Sequence, residues 1–263
     1  MTTKTHVPDM SNRKVGSSRL VESAIDAVLD DRHDFDSHRE LVGDHARLLA
    51  HEIRGHLGVL NGYIAMLEDG SLGKLPPRAR GAVPEMRAKA RAIAHLVDDL
   101  LEDARLNDGQ IHLAIRTADL KAIVAQSVDE ARPSLPANHS LVAHLPSEPV
   151  FALVDRGRIA IILRNLIDNA VKYSPDGGQV DCHLEHDATK AVIYVADRGL
   201  GVPMADSEAI FHRFGRGSQR DRIAGVGLGL YISRRLAELH GGEIVQRPRA
   251  GGGSVFRLTL PLA

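Results

Sequence analysis

The segment from Asp155 to Ser174, with R-I-A-I-I-L-R-N-L-I-D-N-A-V-K-Y at its heart, constrains the fold more than any other stretch. Ile159, Ile162, Leu163, Leu166, Ile167, Ala170 and Val171 recur at helical spacing and form an apolar stripe suited to packing on a sheet. The opposite face is polar in an unusual way. Asn165, Asn169 and Lys172 fall at i, i+4 and i+7, so two amides and an ammonium line up. Solvated helix faces ordinarily carry Glu, Lys and Arg, because Asn competes with the helix for its backbone hydrogen bonds. Two aligned Asn therefore point to a ligand: their carbonyls are hard oxygen donors suited to Mg²⁺, and the Lys can meet phosphate oxygens.

Composition narrows the setting of this helix. At 263 residues, 43% hydrophobic, the chain can build two modest domains and no more. A formal charge of -1 gives no overall basic field, so neither nucleic acid nor an anionic membrane is expected as a partner. The single cysteine, Cys182, excludes an internal disulfide framework and suits a reducing cytoplasm, with a buried structural thiol as its expected role. No run reaches the roughly 18 to 20 apolar residues of a membrane span, and Met1 to Ser18 lacks the apolar core of a signal peptide, so the expected location is cytoplasmic.

Residues 1–40 read as a polar tail followed by a short helix near Leu20 to Leu29, too little for an ordinary sensing domain, so an upstream sensor protein is expected to supply any signal. From 41 to 109 the periodicity predicts a helical hairpin. Its first helix, Leu41 to Glu68, carries the stripe Leu49, Ile53, His56, Leu60, Ile64 and Leu67, with His51 nearly opposite on the solvent face. A Gly- and Pro-containing turn leads to a second helix, Arg78 to Leu106, whose apolar residues keep a heptad rhythm. Two helices bury too little alone, so pairing with a second copy into a four-helix bundle, and hence a homodimer, is expected.

A break at Asn107-Asp-Gly109 marks a domain boundary, and residues 110–263 read as an α+β sandwich with helices on one face of a mixed sheet. The expected strands are Ile111 to Ile115, Ser140 to Leu145, Val180 to Glu185, Ala191 to Ala196 and Ser254 to Leu260, with a helix from Leu120 to Ala131. After the fourth strand comes Asp197-Arg-Gly199-Leu-Gly201. An acid at a strand end can accept the exocyclic amine of adenine, with glycines letting the backbone close over the base, although a plain turn explains the same residues. A Gly- and Arg-rich segment from Phe211 through Arg216 then opens, at Gly225-Val-Gly227-Leu-Gly229-Leu230, into a helix whose N-terminal amides can hold phosphate.

Taken in this order, the pieces resemble the ATP-binding domain of bacterial sensor histidine kinases, a branch of the superfamily that includes gyrase, the Hsp90 chaperones and MutL. The resemblance rests on N165-L-I-D-N169-A-V-K-Y-S, D197-x-G199-x-G201, F211-x-x-F214, G225-V-G227-L-G229-L and L239-H-G-G-E-I. On the hairpin, His51-Glu52-Ile53-Arg54 resembles the phosphoacceptor box of these kinases, extending the likeness to residues 40 to 263. It implies that His51 accepts the phosphoryl group of ATP and that Glu52 orients and activates its imidazole. It further implies that Asn169 holds Mg²⁺, that Asn165 and Lys172 contact phosphates, that Tyr173 lies near the nucleoside and that Asp197 reads adenine. Gly199, Gly201, Gly225, Gly227, Gly229 and Leu230 would complete the nucleotide site, with Arg216 as a lid contact to phosphate. The implied partner is the receiver domain of a response regulator, whose aspartate takes the phosphoryl group.

The box departs from the family at Gly55 and His56, where Thr or Asn and then Pro are usual. Without that proline the kink below His51 should be weak or absent. A dimeric scaffold that has lost catalysis, and a serine kinase of the anti-sigma type, are the alternative readings. The retained Asn169 and glycines argue against the first, and the exposed His-Glu pair on a hairpin against the second.

Overall fold

The structure, a computed structural model, describes residues 50, 52–107, 111–215, 217 and 226–262. By its backbone contacts the chain divides into Met1–Leu49 and Ala50–Ala263, and all described residues belong to the second unit. The readings made for residues 1–40, for His51, Arg216 and Gly225, and for the boundary after Asn107 lie outside the described residues.

Helix α1 (residues 52–68) and helix α2 (Pro77–Asn107) form the hairpin. The turn between them uses Gly70 and Gly73 at φ of 81° and 97°, a region that a Cβ disfavours. The helices meet through Leu57 and Ile64 of α1 against Val83 and Ala90 of α2, and through Ala50 against Val97 and Leu101. This corrects the expected stripe. Ile53, His56 and Leu60 are exposed, and Leu57 takes the place facing α2. Apolar residues occupy two faces of α1, and a single partner helix can cover only one of them.

The α+β part begins with β1 (Arg116–Asp119), so Ile111 to Ile115 is not the strand; pairing with β3 (Phe151–Val154), Thr117 opposite Leu153, places it later. Helix α3 (Leu120–Ala131) starts at the side chain of Asp119, which accepts from Lys121 N–H. The main sheet has the order β2-β4-β5-β7-β6, from β2 (His139–His144), β4 (Gly178–His186), β5 (Lys190–Ala196), β6 (Glu243–Pro248) and β7 (Ser254–Pro261). β2 runs parallel to β4 and the remaining pairs are antiparallel, which makes the sheet mixed.

Helices α3, α4 (Arg156–Lys172) and α5 (Gly229–Leu239) cover one face of this sheet. Ile159, Ile162, Leu163, Leu166 and Ile167 of α4 are almost fully buried, together with Cys182, Ile193, Val195 and Leu258 of the strands. Truncating such a side chain to Ala costs about 2–5 kcal/mol, so this stripe fixes where α4 lies. Burial also pushes the Cys182 thiol up to about 12, which leaves it an inert packing group as expected.

Two staples position the ends of α4 and α5. Asp155 caps α4, its Oδ1 accepting from Gly157 and Arg158 N–H at 3.0 and 3.2 Å. His240, buried after α5, accepts the Asp155 N–H on Nε2 at 3.0 Å, so its proton sits on Nδ1 and is donated to the Leu236 carbonyl at 2.7 Å.

Candidate functional site

A cavity opens between the C-terminal end of α4, the loop after β5, residues 202–215 with Gly217, and the first turn of α5. Asn169, Tyr173, Asp197, Gly201 and Leu230, all singled out in the sequence, line it. The strands, helices and loops that carry them are far apart in the chain, and the local chemistry of each explains how it arrives here.

Asp197 follows β5 and is almost fully buried. Its Oδ1 accepts from Gly199 N–H at 2.9 Å and from Ser254 N–H at 3.1 Å, while Oδ2 takes no hydrogen bond among the described residues. Burial pushes the carboxyl above the ordinary range, opposed by those two N–H donors and by Arg249. The loop that follows is drawn tightly onto α4: Leu200 N–H donates to the Tyr173 carbonyl at 2.9 Å, and a Cβ on Gly199 would sit 2.0 Å from the same oxygen. From the other side, a Cβ on Gly253 would sit 2.2 Å from the Asp197 carbonyl oxygen. Only glycine permits these two approaches.

Asn169 is half-buried on the cavity wall, and its side chain makes no hydrogen bond among the described residues, which leaves its carbonyl oxygen to a ligand. Lys172 is exposed one turn on, its Nζ 5.3 Å from the centre of the Tyr173 ring. Asn165 is placed differently from the row of three expected for α4. It is buried, and its Nδ2 donates to the Gly229 carbonyl at 3.1 Å and to Ser233 Oγ at 3.4 Å. Its amide thus holds the first turn of α5 and does not line the cavity, because α5 packs over that face of α4.

The first helical hydrogen bond of α5 is Ile232 N–H to Leu228 O at 2.8 Å, so the amides of Gly229, Leu230 and Tyr231 precede the ladder. They form the positive end of the helix dipole, beside the cavity wall to which Leu230 contributes. Gly227 approaches at φ 81°. The phenylalanine pair splits its work: Phe211 is buried edge-on to Phe256 at 6.3 Å, whereas Phe214 is exposed at φ 61°, a left-handed conformation rare for an aromatic residue.

Val202, Pro203, Asp206, Ile210, Ser254 and Phe256 also line the cavity, and none was singled out as a site residue. The run Gly251-Gly252-Gly253 ahead of β7, all at positive φ, was the available signal for Ser254 and Phe256. Among the described residues, a buried acid with one unengaged oxygen, an apolar wall, an amide without a side-chain hydrogen bond and helix N-terminal amides ahead of the ladder suit a purine, a metal-bound phosphate chain and its negative charge in turn. The donor set therefore fits ATP with Mg²⁺. On α1, Glu52 is exposed next to the position of His51.

Comparison with known proteins agrees with this geometry. Residues 154–263 match the family model of the histidine kinase-, DNA gyrase B- and HSP90-like ATPases, and residues 42–109 match that of the His Kinase A phospho-acceptor domain. The chain is 33% identical to the sensor protein KdpD of Escherichia coli over 81% of its own length and 24% of that protein's. It is 27% identical to the sensor histidine kinase WalK of Bacillus subtilis over 85% of its length and 36% of WalK. It thus spans about a quarter to a third of these relatives. Among solved structures, full-length ShkA in complex with AMPPNP superposes with a TM-score of 0.63 at 28% identity, covering 84% of this chain and 46% of ShkA. With a phospho-acceptor domain ahead of an ATPase domain of the gyrase and HSP90 kind, the chain belongs to the sensor histidine kinases of bacterial two-component systems.

Proposed function

We propose that the protein is a homodimeric kinase that transfers the γ-phosphoryl group of ATP to His51 and then to an aspartate on the receiver domain of a response regulator. The observation that supports this reading is the buried Asp197, with one oxygen unengaged among the described residues, in the same cavity as the amide of Asn169. Asp197 Oδ2 accepts the adenine amine, Tyr173 and Leu230 pack along the nucleoside, and the amides at the start of α5 meet the phosphates. Lys172 and Arg216 add positive charge to the phosphate chain, and Asn165 fixes α5 without touching nucleotide. Asn169 would hold Mg²⁺, which when bound neutralises phosphate charge. In the transfer, the bond from the γ-phosphorus to the leaving ADP oxygen breaks and a phosphorus–nitrogen bond to His51 forms, with Glu52 orienting the imidazole and taking up its proton. Division into a phosphotransfer hairpin at 41–109 and an ATP-binding part at 110–263 belongs to the same reading.

The dimer is inferred from the second apolar face of the hairpin. Ile53, Leu60 and Tyr63 of α1 and Met86, Ile93 and Leu100 of α2 are exposed at helical spacing, where an identical hairpin would cover them. Incubation with γ-labelled ATP and Mg²⁺ tests the kinase directly. Acid-labile, alkali-stable label is expected in the wild type and none in His51→Gln, with the dimer intact. Label persisting in His51→Gln would overturn the assignment.

A further inference from the structure

On the sheet face turned away from the helices, three side chains with metal-binding atoms converge that have no part in the nucleotide cavity. His144 ends β2, and the parallel register sets it beside His183 of β4, with Asp181 two residues earlier on the same face. We propose that His144, Asp181 and His183 form a site for a divalent transition metal of the Zn²⁺ class.

The candidate ligand atoms are already gathered, and a turn of one ring would let them share an ion. The candidate ligand atoms all lie within 4.8 Å of one another, and His144 Nε2 is 3.4 Å from Asp181 Oδ1. Ligand atoms of a tetrahedral Zn²⁺ site with bonds of about 2.0–2.1 Å stand about 3.3 Å apart, so one edge of the site is already at its working length. The two imidazoles are stacked, their centres 4.1 Å apart at 13°, so their in-plane lone pairs run nearly parallel and His144 must swing out of the stack for both rings to meet one ion. His144 has a side chain 47% exposed, which leaves it free to turn toward an ion and leaves a coordination position open to water. The acid is the rigid member. Asp181 is buried, Gln179 donates to its Oδ1 and Arg249 to its Oδ2 at 3.4 Å, so it is oriented from outside the ligand set. Two imidazoles with one carboxylate favour Zn²⁺, Co²⁺, Ni²⁺ or Cu²⁺ over Mg²⁺ and Ca²⁺, which prefer all-oxygen sets. The site is therefore chemically distinct from the one at Asn169.

The test is titration of the full chain, without nucleotide, with Co²⁺ followed by visible absorption and with Zn²⁺ in competition with a chromophoric chelator. The wild type should show a saturable tetrahedral Co²⁺ band. His144→Ala and His183→Ala should each lose that band and weaken Zn²⁺ binding at least tenfold, and Asp181→Asn should weaken it too. His186→Ala, on the same strand but outside the cluster, should match the wild type. His144 is the decisive position, because an exposed side chain can be removed without unfolding the sheet; circular dichroism checks this. No saturable Co²⁺ band in the wild type, or an unchanged band in folded His144→Ala, would overturn the proposal.

Discussion

Asp197 is a carboxylate held almost entirely out of water on the cavity wall, and its two oxygens differ: one is committed to the Gly199 and Ser254 amides, and the other takes no hydrogen bond among the described residues. Because burial raises its pKa, the folded protein takes up a proton at higher pH than the unfolded chain does. The associated stability is full below the ordinary carboxylate pKa and is lost as pH rises through the elevated value. Nucleotide affinity runs the other way, since a protonated acid accepts poorly from an amine. Calorimetric titration should therefore show ATP affinity falling on acidification from pH 7 at a higher pH than an ordinary carboxylate would give, and Asp197→Asn should weaken binding about tenfold or more with little residual pH dependence. The acid, Asn169 and the glycines after β5 were legible in the sequence because each motif is local. Ser254 and Gly253 were not, since their contact with Asp197 spans 57 residues and leaves only a glycine run as its trace. The hydrogen bonds of Asn165 to α5 are hidden for a related reason: periodicity places it on the polar face but cannot say that α5 lies across that face.

At the scale of an element, α2 presents an acidic edge. Asp98, Asp99, Glu102 and Asp103 meet Arg164, Arg158 and Arg213 from the α+β part, with His95 3.2 Å from Asp168 alongside. The Arg213–Asp103 pair is bidentate, at 3.0 and 2.7 Å. Asp99 is pushed up to about 6, chiefly by burial and further by Asp98 and Asp168, against the pull of Arg164 and His95. Its raised pKa means that the contribution of the proton is complete below about 4 and is lost as pH rises through about 6. Replacing Asp99 by Asn should therefore raise the melting temperature at pH 8 by a few degrees, with the advantage vanishing by pH 4; thermal unfolding across that range checks it. The heptad pattern made α2 itself readable. The acidic edge escaped notice because acids on a long helix look solvated until the arginines facing them are placed.

At the scale of the molecule, the exposed apolar face of the hairpin is where the proposed dimer would form. Charges introduced there, as in Leu60→Glu with Ile93→Glu, should convert the dimer to monomer in sedimentation velocity while leaving ATP affinity within about twofold, since neither residue lines the cavity. The α+β class and most elements were readable from alternation and periodicity, whereas β3 and β6 were missed. β3 is only four residues long, and β6 gains its place from pairing with a strand later in the chain. That pairing order matters during synthesis. β7 follows β6 in the chain yet lies between β5 and β6, and it supplies the amide that holds Asp197. While β7 is still inside the ribosome, β5 has an open edge and Asp197 lacks one of its two donors. A nascent chain that has not yet placed β7 is therefore expected to hold ATP poorly, which delays ATP turnover until the sheet is finished.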